Sequence, residues 1–157
     1  MVVLDASYLM IQNKIINNNI FFIINEYIKA MSLFRKNSSV IELTPSNFDS
    51  KTQKISHYLL ANGTKGMVMF GAHWCGHCKR ASPEYEKAAN ALGSSFPLFY
   101  LDCEKYGEFA SKTLGINGYP TIKYINKTGK PYKLYDGERS YQGFLMGVCA
   151  ESAICKK

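Results

Sequence analysis

The sequence has no apolar run approaching the roughly 18 residues that a membrane-spanning helix needs; the longest in its N-terminal region is Ile20 to Ile24. It also has no basic cluster with interleaved aromatics. Its 19 Lys and Arg residues against 12 Asp and Glu give a net charge of +7. They are scattered singly or in pairs, which argues against a nucleic-acid surface. Cysteine is scarce: Cys75, Cys78, Cys103, Cys149 and Cys155 are too few and too unevenly spaced for a small disulfide scaffold. The odd total leaves at least one free thiol unless chains cross-link. A secretory leader is not expected from residues 1–36, because Asp5 sits at the start and asparagines interrupt the apolar stretch. The tail Ile154-Cys155-Lys156-Lys157 is not of the Lys-Asp-Glu-Leu type.

What is present reads as one globular domain with some chain to spare: 157 residues, 46% hydrophobic and 20% charged. Residues 1–36 differ from the rest. They are rich in Ile and Asn, and Ile16, Ile20, Ile23, Ile24, Tyr27, Ile28 and Met31 follow helical spacing. This segment is expected to be an extension, helical or partly disordered, with Met31 an alternative start. The domain is expected over 37–157.

From Val40 the pattern becomes regular. Val40 to Leu43 reads as a strand. Thr44-Pro45-Ser46 reads as the start of a helix running to about Leu60. A buried strand over Met67 to Ala72 leads into a helix from Trp74 to Leu92, interrupted by Pro83 and stopped at Gly93. A strand at Pro97 to Leu101, a helix at Lys105 to Leu114 and a hairpin of Thr121 to Ile125 with Tyr132 to Tyr135 follow. A closing helix covers Ser140 to about Cys155. The order β-α-β-α-β-α-β-β-α predicts an α/β sheet with helices on both faces.

The chemistry concentrates in Trp74-Cys75-Gly76-His77-Cys78-Lys79. A Cys-x-x-Cys after a buried strand and at a helix start reads as a redox pair. Two intervening residues let both sulfurs meet on the first turn. The unpaired N–H groups and positive dipole end there favour a Cys75 thiolate, and His77 can add positive charge beside it. Cys75 would attack a substrate disulfide, and the more buried Cys78 would resolve the mixed disulfide. A zinc site usually needs a second pair or distant histidines. His73, Cys75, His77 and Cys78 are too crowded for an easy tetrahedron, so no metal is expected. Haem attachment needs His directly after the second cysteine, where Lys79 stands. A purely structural pair would not need the Gly and His between the cysteines.

Residues from about Val40 to Ile154 resemble a thioredoxin domain of the protein disulfide isomerase type. The Trp-Cys-Gly-His-Cys-Lys string and Gly118-Tyr119-Pro120-Thr121 carry that resemblance. It implies a thioredoxin fold: three-layer α/β/α, a central mixed sheet flanked by helices, with the N-terminal helical extension appended. It implies a thiol–disulfide oxidoreductase acting on polypeptide thiols or disulfides, with an unidentified electron donor or acceptor protein and no cofactor. A thioredoxin-like reductase and a non-enzymatic polypeptide-binding module remain alternatives. The site residues implied are Cys75, Gly76, His77 and Cys78, with Cys75–Cys78 the redox-active disulfide. Trp74, Tyr119 and Pro120 would bind substrate. In the family this proline is cis, so that the backbone at Tyr119 is free to pair with an extended substrate. Tyr135-Asp136-Gly137-Glu138-Arg139 is similar to a family segment whose arginine swings toward the resolving cysteine, a role Arg139 inherits.

Two positions depart from the family. A buried acid usually stands six residues before the first active cysteine, and a lysine pairs with it. Here these are Met69 and Tyr100. Losing both members of a buried pair is coherent, because a lone charge would be costly. Slower resolution by Cys78 is therefore expected. Cys103, Cys149 and Cys155 are expected to be bystanders, the last two on different faces of one helix and unable to pair within it. His77 in place of the thioredoxin proline points to a potential nearer about −180 mV than about −270 mV. The isomerase-like motif implies an oxidising compartment. The Ile/Asn/Lys bias suits an AT-rich genome of a protist or large DNA virus, leaving the ER lumen, cytoplasm and virion open.

Overall fold

A computed structural model describes the backbone of residues 6–30 and 32–155 and the side chains of residues 10–26 and 32–155. The chain falls into two compact units that divide between Ser32 and Leu33. The first contains helix α1, Ala6–Ala30. Ile16, Ile20, Ile23 and Ile24 are exposed on it. The side chains of Tyr27 and Ile28, and all of Met31, lie outside the described residues. Among the described residues no helix is long and apolar enough to cross a membrane.

The second unit starts four residues before the expected boundary at 37. Phe34 is the reason: its ring packs at 5.0 Å against Tyr100 and 6.0 Å against Tyr85, inside the core. The unit contains β1 (Ile41–Leu43), β2 (Gly66–Gly71), α2 (Gly76–Leu92), β3 (Leu98–Asp102), α3 (Cys103–Leu114), β4 (Thr121–Ile125), β5 (Pro131–Leu134) and α4 (Tyr141–Glu151). The five strands form one sheet in the order β1-β3-β2-β4-β5. β1, β3 and β2 run parallel, β4 is antiparallel to β2, and β5 is antiparallel to β4.

Alternation along the strands builds two cores. Met67 and Met69 of β2, Leu98 and Tyr100 of β3, and Ile122 and Tyr124 of β4 face α2 and α4. Val68, Phe70, Phe99, Leu101 and Ile125 face α3 and the segment around Phe48 and Ile55. A strand buried on both faces needs this unbroken apolar run, and each large side chain buried contributes about 1.5–3 kcal/mol. The wholly buried Tyr85 of α2 ties the layers together by donating to the carbonyls of Phe99 (2.9 Å) and Met67 (3.2 Å).

Two expectations give way to tertiary structure. The helix anticipated from Thr44 to Leu60 is only a 3₁₀ turn, Pro45–Asn47, followed by turns and a bridge between Phe48 and Ile55. The side chain of Asn47 accepts from the Thr44 N–H at 2.7 Å, and the Asp49 carboxylate accepts from the N–H groups of Lys51 and Thr52. Such local side-chain bonds compete with helix continuation. Cys149 and Cys155 are joined in a disulfide, with Cα atoms 5.2 Å apart. On one continuous helix, six residues would rise about 9 Å. Instead α4 stops at Glu151, Ser152 is extended (φ −133°, ψ 160°), and the 3₁₀ turn Ala153–Cys155 follows.

Candidate active site

β2 ends at Gly71, and the chain passes through Ala72, His73 and Trp74 before entering α2. Cys75 is the N-cap of that helix (φ −78°, ψ 116°), and its sulfur accepts from the Cys78 N–H at 3.3 Å. A thiol here occupies the place where a Ser or Asp side chain usually satisfies an orphan donor. Cys78 lies one turn on and is fully buried, against 7% exposure for Cys75. Both are free thiols in this structure.

The environment of Cys78 strongly disfavours its thiolate. Burial, then the hydrogen bond to Cys75, pushes its thiol from 9.0 up to about 12, although the Ala72 backbone and the Arg139 charge oppose the rise. Arg139 is exposed, yet its charge reaches the resolving thiol. Gly71 is where the strand passes closest: a Cβ there would lie 3.1 Å from Cys78 Sγ and 3.4 Å from the Tyr100 ring. Met69 and Tyr100 are directly opposed on β2 and β3, and both are buried. The two departures from the family pattern thus stand side by side, with no carboxylate introduced at either position. Burial raises the Tyr100 hydroxyl well above its ordinary value, reinforced by the negative charge of Asp102.

His77 is exposed, and Arg80 Nη2 lies 2.8 Å from its Nδ1. A guanidinium only donates, so Nδ1 accepts in this arrangement. The positive charge on this turn is carried by Arg80, which sequence reasoning did not single out. Gly76 leaves room: a Cβ there would meet nothing nearer than Arg80 Nη1 at 3.7 Å. Pro83 sits inside α2 without breaking it. It has no N–H for the Lys79 carbonyl, which instead accepts from Ser82 Oγ at 3.2 Å.

The second loop of the site carries Tyr119 and Pro120, joined by a cis peptide bond. The Tyr119 ring meets Trp74 edge-on at 6.1 Å and 73°. Trp74 itself is 59% exposed, a large apolar surface beside the cysteine pair. The structure therefore gathers Trp74, Cys75, Gly76, His77, Cys78 and Tyr119-Pro120 around one surface, with Arg139 acting from a distance. Two links around this surface escaped the sequence reading: His73 Nδ1 lies 2.6 Å from Glu104 Oε2, and Tyr119 packs against the cluster that holds the buried Cys103. Burial pushes the Cys103 thiol up to about 12. Among the described residues there is no group of three or more His, Cys, Asp or Glu side chains able to hold a metal.

This arrangement, a mixed sheet whose central strand delivers a Cys-x-x-Cys pair to a helix start opposite a cis-proline, is that of a thioredoxin domain. The thioredoxin family model matches residues 39–148, and the chain belongs to that family. Within it the chain is a thioredoxin domain of the protein disulfide isomerase type. It is 39% identical over 110 residues to protein disulfide isomerase-like 2-2 of Oryza sativa subsp. japonica, covering 69% of this chain and 28% of that protein. It is 39% identical over 108 residues to protein disulfide-isomerase A3 of Gallus gallus, covering 69% and 20%. The first thioredoxin domain of mouse protein disulfide-isomerase A4 aligns with a TM-score of 0.58 at 30% identity, covering 78% of this chain and 82% of that one. The chain thus spans between a fifth and three tenths of the length of the curated relatives it matches.

Proposed function

We propose that this chain is a thiol–disulfide oxidoreductase that uses Cys75 and Cys78 to oxidise or isomerise disulfides in polypeptide substrates. The observation that carries this reading is the N-capping Cys75 sulfur, which accepts from the Cys78 N–H one turn before the buried Cys78 thiol. In the reducing direction Cys75 thiolate attacks a substrate disulfide, forming a mixed disulfide and expelling one substrate thiolate. Cys78 then gives up its proton and attacks Cys75 Sγ. The Cys75–Cys78 bond forms, the second substrate thiol leaves, and two electrons have passed to the substrate. Oxidation is the same sequence reversed; in isomerisation a different substrate thiolate attacks the mixed disulfide, forming a new substrate disulfide and releasing the Cys75 thiolate. The aromatic surface of Trp74 and Tyr119 supports a polypeptide substrate. The Cys149–Cys155 disulfide supports an oxidising compartment.

Turnover of a disulfide-bonded peptide by wild type, Cys75→Ser and Cys78→Ser tests the proposal. Both variants are expected to lose turnover, and Cys78→Ser to accumulate a mixed disulfide detectable by mass. Retained peptide affinity with no wild-type turnover would replace it by a binding module. A potential below about −250 mV would identify a reductase instead.

A further inference from the structure

The first turn of α3 lies against both loops of the site through two consecutive residues. The Glu104 carboxylate holds His73 Nδ1 at 2.6 Å, and His73 immediately precedes Trp74. The pair is only partly exposed, at 21% for the His73 side chain and 38% for Glu104. Glu104 is itself anchored, since its N–H donates to the buried Asp102 carboxylate at 3.0 Å. Tyr119 packs against the cluster that holds the preceding Cys103, and its hydroxyl hangs 3.7 Å from where a Cβ on Gly107 would stand. Trp74 and Tyr119 then meet edge-on. A kink at Tyr106 (φ −121°, ψ 29°) sets this first turn apart from the rest of α3.

We infer that His73 and Glu104 are positioning residues: with Cys103 they make the first turn of α3 a platform that holds Trp74 and Tyr119 as the two walls of the polypeptide-binding groove. This rests on the oxidoreductase reading for its substrate. The chemistry at Cys75 and Cys78 does not run through the platform. A substrate long enough to lie across Trp74 and Tyr119 feels the loss of the pair; a small disulfide that meets only the cysteine sulfurs does not. Because Glu104 acts on the loop that carries Trp74 and Tyr119 packs against the cluster that holds Cys103, loss of the His73–Glu104 contact frees Trp74 while Tyr119 stays anchored.

The test compares His73→Ala, Glu104→Ala, the double variant and a control, Glu108→Ala. Glu108 is an exposed residue of α3 that pairs with Lys112 at 2.6 Å. Each is assayed in the full chain with a disulfide-bonded peptide and with glutathione disulfide. Trp74 is the only tryptophan, so its emission reports the loop directly and without turnover. The two single variants are expected to raise KM for the peptide about three- to tenfold with kcat unchanged, the size of one ordinary hydrogen bond lost at a partly exposed site. Glutathione disulfide kinetics should stay within about twofold on the same scale. The double variant should be no worse than either single one, Trp74 emission should shift in all three, and Glu104→Asp should restore part of the effect. Unchanged KM and unchanged Trp74 emission in folded His73→Ala and Glu104→Ala would overturn the inference. So would additive effects in the double variant, or an equal loss with both substrates. Failure of wild type itself to turn over the peptide would refute the oxidoreductase reading while leaving the Trp74 emission test standing.

Discussion

Replacing Met69 by Glu and Tyr100 by Lys together should accelerate release of substrate from the mixed disulfide. The size of the effect follows from Cys78. Its thiol is raised from 9.0 to about 12, so at pH 7 its thiolate fraction falls from about 10⁻² to about 10⁻⁵. A more basic thiolate is a better nucleophile, with a Brønsted slope of about 0.4–0.5, which recovers about 16- to 30-fold. The net handicap is about 30- to 60-fold, the most that a local proton acceptor can recover. Position 69 is suited to provide one. Met69 lies two residues before Gly71 on the same face of β2, about 7 Å along the strand, and Gly71 is where Cys78 Sγ makes its close approach. A carboxylate there reaches the thiol directly or through one water. Glu alone would be a lone buried charge costing several kcal/mol, whereas Lys at position 100, directly opposite, pairs with it. The assay loads Cys75 with a peptide as a mixed disulfide and follows release by Trp74 fluorescence after rapid mixing. In wild type the rate should climb about tenfold per pH unit from 6 to 9, because the thiolate population grows toward its high pKa. In the double variant the rate at pH 7 should be at least about tenfold higher and the pH dependence flatter. A double variant that melts cooperatively yet resolves no faster at pH 7 would refute the reasoning.

The end of α4 supplies the other predictions. Burial pushes the Glu151 carboxyl upward, but hydrogen bonds from Tyr132, Lys133 and Lys65 outweigh it and hold it below the ordinary 4.5. Lys65 also donates to the Glu151 carbonyl at 2.6 Å, so the network joins α4, β5 and the segment entering β2. A carboxyl lowered by folding stabilises above 4.5, and that contribution is lost as pH falls through its folded value. Glu151→Gln should therefore cost about 1 kcal/mol at pH 7 and almost nothing near pH 3 in urea titrations; an equal cost at both would count against the network. Replacing both Cys149 and Cys155 by Ser, in a background lacking Cys75 and Cys78, should lower stability by about 2 kcal/mol on the chain-entropy account of a short loop. Unchanged melting would show that the bridge closes a turn already formed.

Much of this protein was legible without a structure, for a local reason. Strand pleat, helix start and turn chemistry depend on neighbours in sequence. Val68 and Phe70 declare a buried strand, Gly115 takes the left-handed φ of 68° that ends α3, and Cys75-Gly76-His77-Cys78 places two sulfurs on one helical turn. The thioredoxin fold, the cysteine pair, the greater burial of Cys78 and the cis bond at Tyr119-Pro120 all followed from such signals and the resemblance they carry. The segment from Thr44 to Leu60 misled because Asn47 and Asp49 spend their side chains on local backbone groups.

What chain order alone could not decide is which distant groups meet. Phe34 enters the core because β2, β3 and α2 leave a space bounded by Tyr100 and Tyr85. Cys149 finds Cys155 because α4 stops at Glu151. Glu104 meets His73 across 31 residues because parallel β2 and β3 bring the end of one strand beside the end of the other, and Tyr119 comes beside α3 because antiparallel β4 starts where β2 ends. Sequence determines the reactive pair by spacing along one turn. The walls around it and the charge that reaches it are set by strand register and loop packing, which exist only once the sheet has formed.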